Sequence, residues 1–401
     1  MTQESHDLQR HIGSLLECLS SGKRPIGLFL GAGCPMAIQD HEGAPLIPGV
    51  KGLTEQVLER IAKIDKLRGS SLTVIGNLKE DGITSPNVEE ILGHIRGLHA
   101  VAGAGEARGL TTAVLRELDD GICEVIHDVV SPALPSMDTP YHHVARWADG
   151  IARTDPVEVF TTNYDLLLEQ ALEESRVPYF DGFAGSRRPF FSVRAMEEDR
   201  IPLRWVRLWK LHGSVNWYQR ESYGVFRSSG GKPDGLRRVI HPSHLKYEES
   251  RRMPYLAMID RLRAFLRQPS AALVIIGYSF RDQHLNEVIS QGLQSTQSAI
   301  GFSLLRSDLE RYKEARTISS ERSNLCLLAK DAGVVGTSEA PWRELGIGGI
   351  PSSMSDWIAW ASEPATHESA KAVASRLGDF GVFGAFLGSM FSSATTPVED
   401  T

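Results

Sequence analysis

The chain has only four cysteines, Cys18, Cys34, Cys123 and Cys326, which lie far apart with no CxxC pair. That spacing excludes a disulfide framework and a cysteine-rich structural zinc site. Long apolar runs are missing too: none approaches the roughly 20 residues needed to span a bilayer. Basic residues are not in excess, since 43 Lys+Arg against 50 Asp+Glu leave a net charge of −7. Such a balance argues against a broad, sequence-independent grip on nucleic acid or an anionic membrane. Arginines do pair at 187–188, 237–238 and 251–252, a pattern read as solvated surface. No carboxylate cluster has a metal-binding pattern, so neither a bound metal nor metal-dependent nuclease chemistry is expected. The amino end MTQESHDLQR is polar and acidic and predicts no secretory leader, which makes a reducing cytoplasm the expected compartment.

What is present alternates between strand and helix. Ile26-Gly27-Leu28-Phe29-Leu30 reads as a short first strand running straight into Gly31-Ala32-Gly33-Cys34-Pro35. A Gly/Pro loop through Pro45-Leu46-Ile47-Pro48-Gly49 follows. From Leu53 the spacing of Leu53, Val57, Leu58, Ile61 and Ile64 predicts a helix through Leu67, and the helical reading resumes from Asn87 to Val130 with a break at 102–105. Asn87 is read as its cap, with Glu89 and Glu90 in the first turn. Further strands are expected at 157–161, 205–211, 238–241, 273–278, 300–305 and 325–329. Several are continuous apolar runs, as expected of a parallel sheet covered on both faces. The pattern predicts an α/β, Rossmann-like, doubly wound, mostly parallel sheet, with residues 50–150 as an inserted helical module. The segment 351–401 differs in composition. Its glycine-interrupted run from Phe380 to Phe391 is read as a docking segment against the body or a neighbouring subunit.

Two strand ends carry reactive groups: Phe160-Thr161-Thr162-Asn163-Tyr164-Asp165 and Lys210-Leu211-His212-Gly213-Ser214. Ligands of open α/β sheets sit outside the carboxyl ends of the strands, so an amide, a carboxylate and an imidazole there would form one centre. Asn163 and Asp165 could equally cap the helix expected from Leu166 to Glu174. Glycines at 31 and 33 permit a tight turn and close approach of phosphate oxygens to peptide N–H groups, although this GxG lacks the rest of a dinucleotide fingerprint. Gly277-Tyr278-Ser279-Phe280-Arg281-Asp282 ends another strand in the same manner, with Asp282 read as the cap of the next helix.

Together, GAGC at 31–34, FTTNYD at 160–165, KLHGS at 210–214 and GYSFRDQHLN at 277–286 resemble the sirtuin-like family, in particular its divergent bacterial branch of anti-phage defence proteins. The motifs span residues 26 to about 290 in the family's order. The resemblance implies a sirtuin-like NAD-binding domain over 1–350. Gly31, Ala32 and Gly33 would hold the dinucleotide phosphates, Cys34 would be the variable position of that motif, and Pro35 stands where many relatives have serine. Asn163 would contact the nicotinamide-side ribose, with Thr162 and Asp165 beside it, and His212 would be the catalytic base. Gly277, Tyr278 and Ser279 would lie near ribose and phosphate.

Missing zinc-ribbon cysteines set the chain apart from deacetylating sirtuins. The resemblance therefore implies NAD⁺ hydrolysis to nicotinamide and ADP-ribose, with a zinc-free deacylase and a non-catalytic NAD-sensing subunit as alternatives. It also implies a homo-oligomer, and the chain is most similar to the subunit that works with a HerA-type hexameric ATPase. Direct nucleic-acid binding and membrane attachment are not expected.

Overall fold

The computed structural model describes residues 5–220, 224–228, 237–240, 254–346, 348–361 and 371–392. His241, His244, the arginines at 251–252, the Gly-Ser stretch after Ser228 and the polar terminus lie outside the described residues. The main sheet is built from β1 (Ile26–Leu30), β2 (Glu158–Thr161), β3 (Tyr179–Phe180), β4 (Val206–Lys210), β5 (Ala272–Ile276), β6 (Ile300–Leu304), β7 (Leu325–Leu328), β8 (Ala332–Val335) and β9 (Ser338–Pro341). Their order in space is β9-β8-β7-β6-β5-β1-β2-β4-β3. All pairings from β7 across to β3 are parallel, and β8 and β9 add an antiparallel edge. That edge hairpin escaped the sequence reading. Its turn, Gly336-Thr337, has positive φ at both residues, +58° and +75°, the backbone that a two-residue hairpin needs.

β1 shows why the sheet is central. All five of its residues are buried, and its side chains divide between two cores: Ile26, Leu28 and Leu30 join one, Phe29 the other. At Gly27 a Cβ would sit 2.8 Å from the ring of Phe265, on the helix Tyr255–Leu266, so glycine makes room for that ring. From β1 the chain proceeds to β2, β3 and β4 on one side, then crosses back to β5 on the other. The order thus reverses between β1 and β5, the crevice where open α/β sheets bind ligands.

Helix α1 (Leu8–Ser20) precedes β1; α2 (Val50–Ala62), α3 (Asp65–Glu80), α4 (Val88–Ala102), α5 (Thr112–Val130) and α6 (Pro140–Gly150) lie between β1 and β2. The helix expected from Leu53 through Leu67 is two helices, separated at Lys63-Ile64. Ile61 and Leu67 both approach Gly121 of α5, and six positions on one straight helix would point them about 120° apart. The break lets both face the same partner. α4 begins with the expected cap, elaborated into a box in which Asn87 accepts from Glu90 N and Glu90 accepts from Asn87 N.

Beyond β2 come α7 (Leu167–Glu174), α8 (Val193–Glu198), α9 (Tyr255–Leu266), α10 (Gln283–Ser295), α11 (Lys313–Glu321) and α12 (Phe380–Ser392). A second, five-stranded antiparallel sheet joins segments 183–184, 190–191, 213–220, 224–227 and 237–240. α12 is the apolar run of the carboxyl-terminal segment. Asp379 Oδ1 accepts from Gly381 N at 2.9 Å to start it, and Phe380, Phe383, Phe386 and Leu387 are buried. Gly384 lies against Pro140 and Gly150 against the Phe391 ring, so small residues on each helix let α12 dock closely on α6. No helix among the described residues is long and apolar enough to cross a membrane.

Candidate active site

β1, β2, β4 and β5 end at one edge of the sheet, and the turns leaving them are bonded to each other before any ligand is considered. Gly31 N donates to Ile276 O at 2.9 Å and Gly33 N to Gly277 O at 2.8 Å. Gly277 has φ +68°, and a Cβ there would lie 2.7 Å from Cys34 N. The first and last glycine motifs therefore pack backbone on backbone, which only glycine allows.

The turn after β2 is tied into the same assembly. Thr161 Oγ1 donates to Leu30 O (2.9 Å) and accepts from Asn163 N (3.0 Å), while Asn163 Nδ2 donates to Gly31 O (3.1 Å). Asn163 is thus bonded back to β1 rather than forward to a helix. Asp165 stands one residue before the cap position Leu166, and its Oδ1 accepts from Leu167 N at 3.1 Å, at the start of α7. Lys210, buried at the end of β4, donates to the Asp165 carbonyl oxygen and pairs with Glu169 on α7 at 3.0 Å. Burial pushes the Asp165 carboxyl up to about 6, with the Lys210 charge opposing that shift.

Two residues beyond Lys210, His212 Nε2 lies 3.1 Å from Asp282 Oδ2. Asp282 is also the cap of α10, its Oδ1 accepting from His284 N (3.0 Å) and Leu285 N (3.2 Å). Both carboxylate oxygens are therefore placed, one by the helix and one toward the imidazole.

These turns floor a cavity of about 810 Å³, lined among others by Ala32, Gly33, Thr162, Asn163, Asp165, His212, Gly277, Tyr278 and Ser279. The loop residue Pro48 and the inserted helices, with Lys51, Glu89, Glu90 and Ile126, also line it. Val50, Lys51 and Gly52, the first turn of α2, border the cavity, and no side chain caps that helix. Uncapped first-turn N–H groups and an ammonium suit an anion.

Two of the expected contact residues are not brought to the cavity. Gly31 packs beneath Gly277, and Cys34 is fully buried with Sγ 3.5 Å from Ile276 O. Burial holds the Cys34 thiol well above its ordinary range, so its place is in the wall behind the glycine turn. Tyr278 lines the cavity but turns its hydroxyl inward, donating to Asn286 Oδ1 at 2.9 Å. The sequence reading missed Asp282 as a partner of His212, because a residue fit to cap a helix already had a use. It also passed over Lys51 and read Glu89 only as a first-turn residue of its helix, since the proximity of both to the cavity depends on how the insert folds back over the sheet. No local signal marks them.

A parallel sheet with glycine turns, an amide and an imidazole gathered at its switch point defines a Rossmann-like ligand-binding protein. Within it, residues 157–327 match the family model described as a SIR2-like domain, a span that holds Asn163, His212 and the 277–282 turn but leaves β1 and the helical insert outside. Among solved structures the chain is similar to one described for the mechanism and regulation of Sir2 enzymes, at 12% identity and TM-score 0.36, covering 75% of this chain and 86% of that one. It is also similar to a Sir2 homologue in complex with NAD, at 14% identity and TM-score 0.32, covering 78% and 89%. A third is a mutant Sir2 homologue in complex with ADP-ribose, at 15% identity and TM-score 0.32, covering 75% and 87%. No curated protein matches the chain.

Proposed function

We propose that the chain is an NAD⁺ hydrolase that breaks the nicotinamide–ribose bond to give nicotinamide and ADP-ribose. The observation carrying this reading is the joining of Asn163, His212 and the two interlocked glycine turns in one cavity at the β1/β5 switch point. A volume of about 810 Å³ falls in the range of small-molecule sites. In this reading Ala32 and Gly33, with the first turn of α2, receive the phosphates. Asn163, held by Gly31 O, fixes the ribose and the attacking water.

The reaction balances without a general acid. Nicotinamide leaves as a neutral ring with the electron pair of the C–N bond, water oxygen bonds to the ribose carbon, and the water's proton passes to His212. Positive charge developing on the ribose is met by preorganised dipoles at the strand ends. An imidazole is the side chain best suited to take up a proton around neutral pH.

Purified protein incubated with NAD⁺ is expected to release nicotinamide, and Asn163→Ala or His212→Ala to reduce the rate by about 100-fold or more. Undiminished turnover in both variants contradicts the site. Stoichiometric NAD binding with no nicotinamide, even beside a partner, favours a sensing subunit instead. Because unrestrained hydrolysis would exhaust a cell's NAD, the reading includes restraint by assembly: a homo-oligomer that acts in anti-phage defence together with a HerA-type hexameric ATPase. Comparing nicotinamide release with and without such an ATPase tests that part separately.

A further inference from the structure

The turn from Gly277 to Asp282 is held in a conformation that its sequence does not favour. Phe280, buried and without glycine's freedom, has φ +59°. Such a residue costs about 1–3 kcal/mol and persists only where its surroundings over-determine it. Here they do: Asn286 Nδ2 donates to Phe280 O at 2.6 Å, and Tyr278 OH donates to Asn286 Oδ1 at 2.9 Å. The strained turn delivers Asp282, which occupies two sites at once. Its Oδ1 takes the first N–H groups of α10, and its Oδ2 stands 3.1 Å from His212 Nε2.

We propose that Asp282 is a positioning residue for His212: its carboxylate, 3.1 Å from Nε2, favours the tautomer with the proton on that nitrogen and the lone pair on Nδ1, and it stabilises the imidazolium formed when His212 takes a proton. A helix cap alone needs one carboxylate oxygen. The second one, aimed at the imidazole from a turn held in strain, is what a cap does not explain. In neutral imidazole one nitrogen donates and the other accepts, so a carboxylate on Nε2 decides which is which. Other charges near the cavity are His284 from α10, Arg281 from the same turn, Asp165 from the β2 turn, and Lys51, Glu89 and Glu90 from the insert. Among the described residues, Asp282 has its carboxylate 3.1 Å from the ring at Nε2.

The inference rests on the hydrolase reading for its role in turnover, yet the dyad can be tested without turnover. Asp282→Asn is the informative variant, because asparagine caps helices as well as aspartate while losing the charge. In the full-length protein with ¹⁵N-labelled histidine, the His212 signals, assigned by their loss in His212→Gln, are expected to show an Nε2–H tautomer. In Asp282→Asn the His212 pKa is expected to fall by about one unit or more. The acid limb of kcat/KM for NAD⁺ should move down in pH by the same amount, with kcat reduced about 10- to 100-fold and the far-ultraviolet spectrum unchanged. An Nδ1–H tautomer in the wild type, or a His212 pKa that does not move in Asp282→Asn, overturns the proposal even if NAD⁺ is hydrolysed. No nicotinamide from wild type either alone or beside a HerA-type ATPase, alongside the expected tautomer and pKa shift, overturns the hydrolase reading and leaves the dyad standing.

Discussion

At the scale of single residues, Asp165 links pH to stability. Burial raises its folded pKa from 3.8 to about 6, so the folded state holds this proton more tightly than the unfolded chain does. Stability from this group is therefore greatest at low pH and falls as pH rises from 3.8 to about 6, by about 3 kcal/mol in all. Asp165→Asn keeps an oxygen for Leu167 N and removes the charge. Denaturant titrations are expected to show the variant more stable than wild type at about pH 7.5, with the gap closing toward pH 4. A constant difference across that range contradicts the assignment. Gly277 makes a purely steric prediction. With φ +68° and a Cβ that would meet Cys34 N at 2.7 Å, Gly277→Ala is expected to destabilise by about 2 kcal/mol or more, read as a lower melting temperature. Both glycines of the first turn and Gly277 were legible in the sequence as strand-end turns. That Gly31 and Cys34 face the neighbouring turn instead of the cavity was not, since it depends on β5 pairing beside β1.

At the scale of elements, the end of β4 is fastened by Lys210, which spans from the sheet to the Asp165 carbonyl and to Glu169 on α7. Both charged groups are buried. Lys210→Met removes one of them and leaves the Glu169 carboxylate without its cation, so a loss of about 3–5 kcal/mol is expected in chemical denaturation. Because the same contact holds the Asn163–Asp165 turn, nicotinamide release by the surviving folded protein should fall as well. Unchanged stability would show that solvent or another cation takes over at Glu169. Strands β1, β2, β4, β5, β6 and β7 were readable to within a residue or two, because continuous apolar runs bounded by polar turns leave little choice, whereas the two-residue β3 was not. Less was readable where a contact overrides the local period. The division of 53–67 into α2 and α3 follows from packing on Gly121, and the β8–β9 hairpin from a Gly-Thr turn whose threonine adopts a positive φ.

For the molecule as a whole, α12 decides what the carboxyl-terminal segment does for the body. Phe380, Phe383, Phe386 and Leu387 are buried within the chain's own fold, much of it against α6, so those side chains are already engaged before any neighbouring subunit is added. Each such burial is worth about 1.5–3 kcal/mol. Deleting residues 376–401 is therefore expected to lower the melting temperature sharply or to give insoluble protein, through exposure of the α6 face. A soluble truncation that melts like the full chain would show that the contact carries little. If that truncation also kept its mass in light scattering, any role of the segment in oligomer contacts would fall with it.

The sequence by itself determined most of the parallel strands and the chemistry at their ends. Apolar runs specified the parallel strands, and glycine, asparagine, lysine and histidine at fixed places specified which ends could act, since backbone freedom and side-chain chemistry are local properties. Tertiary structure alone decided who stands beside whom. Strand order put β1 next to β5, interlocking two glycine turns some 250 residues apart. It carried Asn163 onto Gly31 O, folded the helical insert over the strand ends, and set the second oxygen of a helix cap against His212. Pairing across such separations is fixed by the burial of whole faces, a property no short stretch of residues contains.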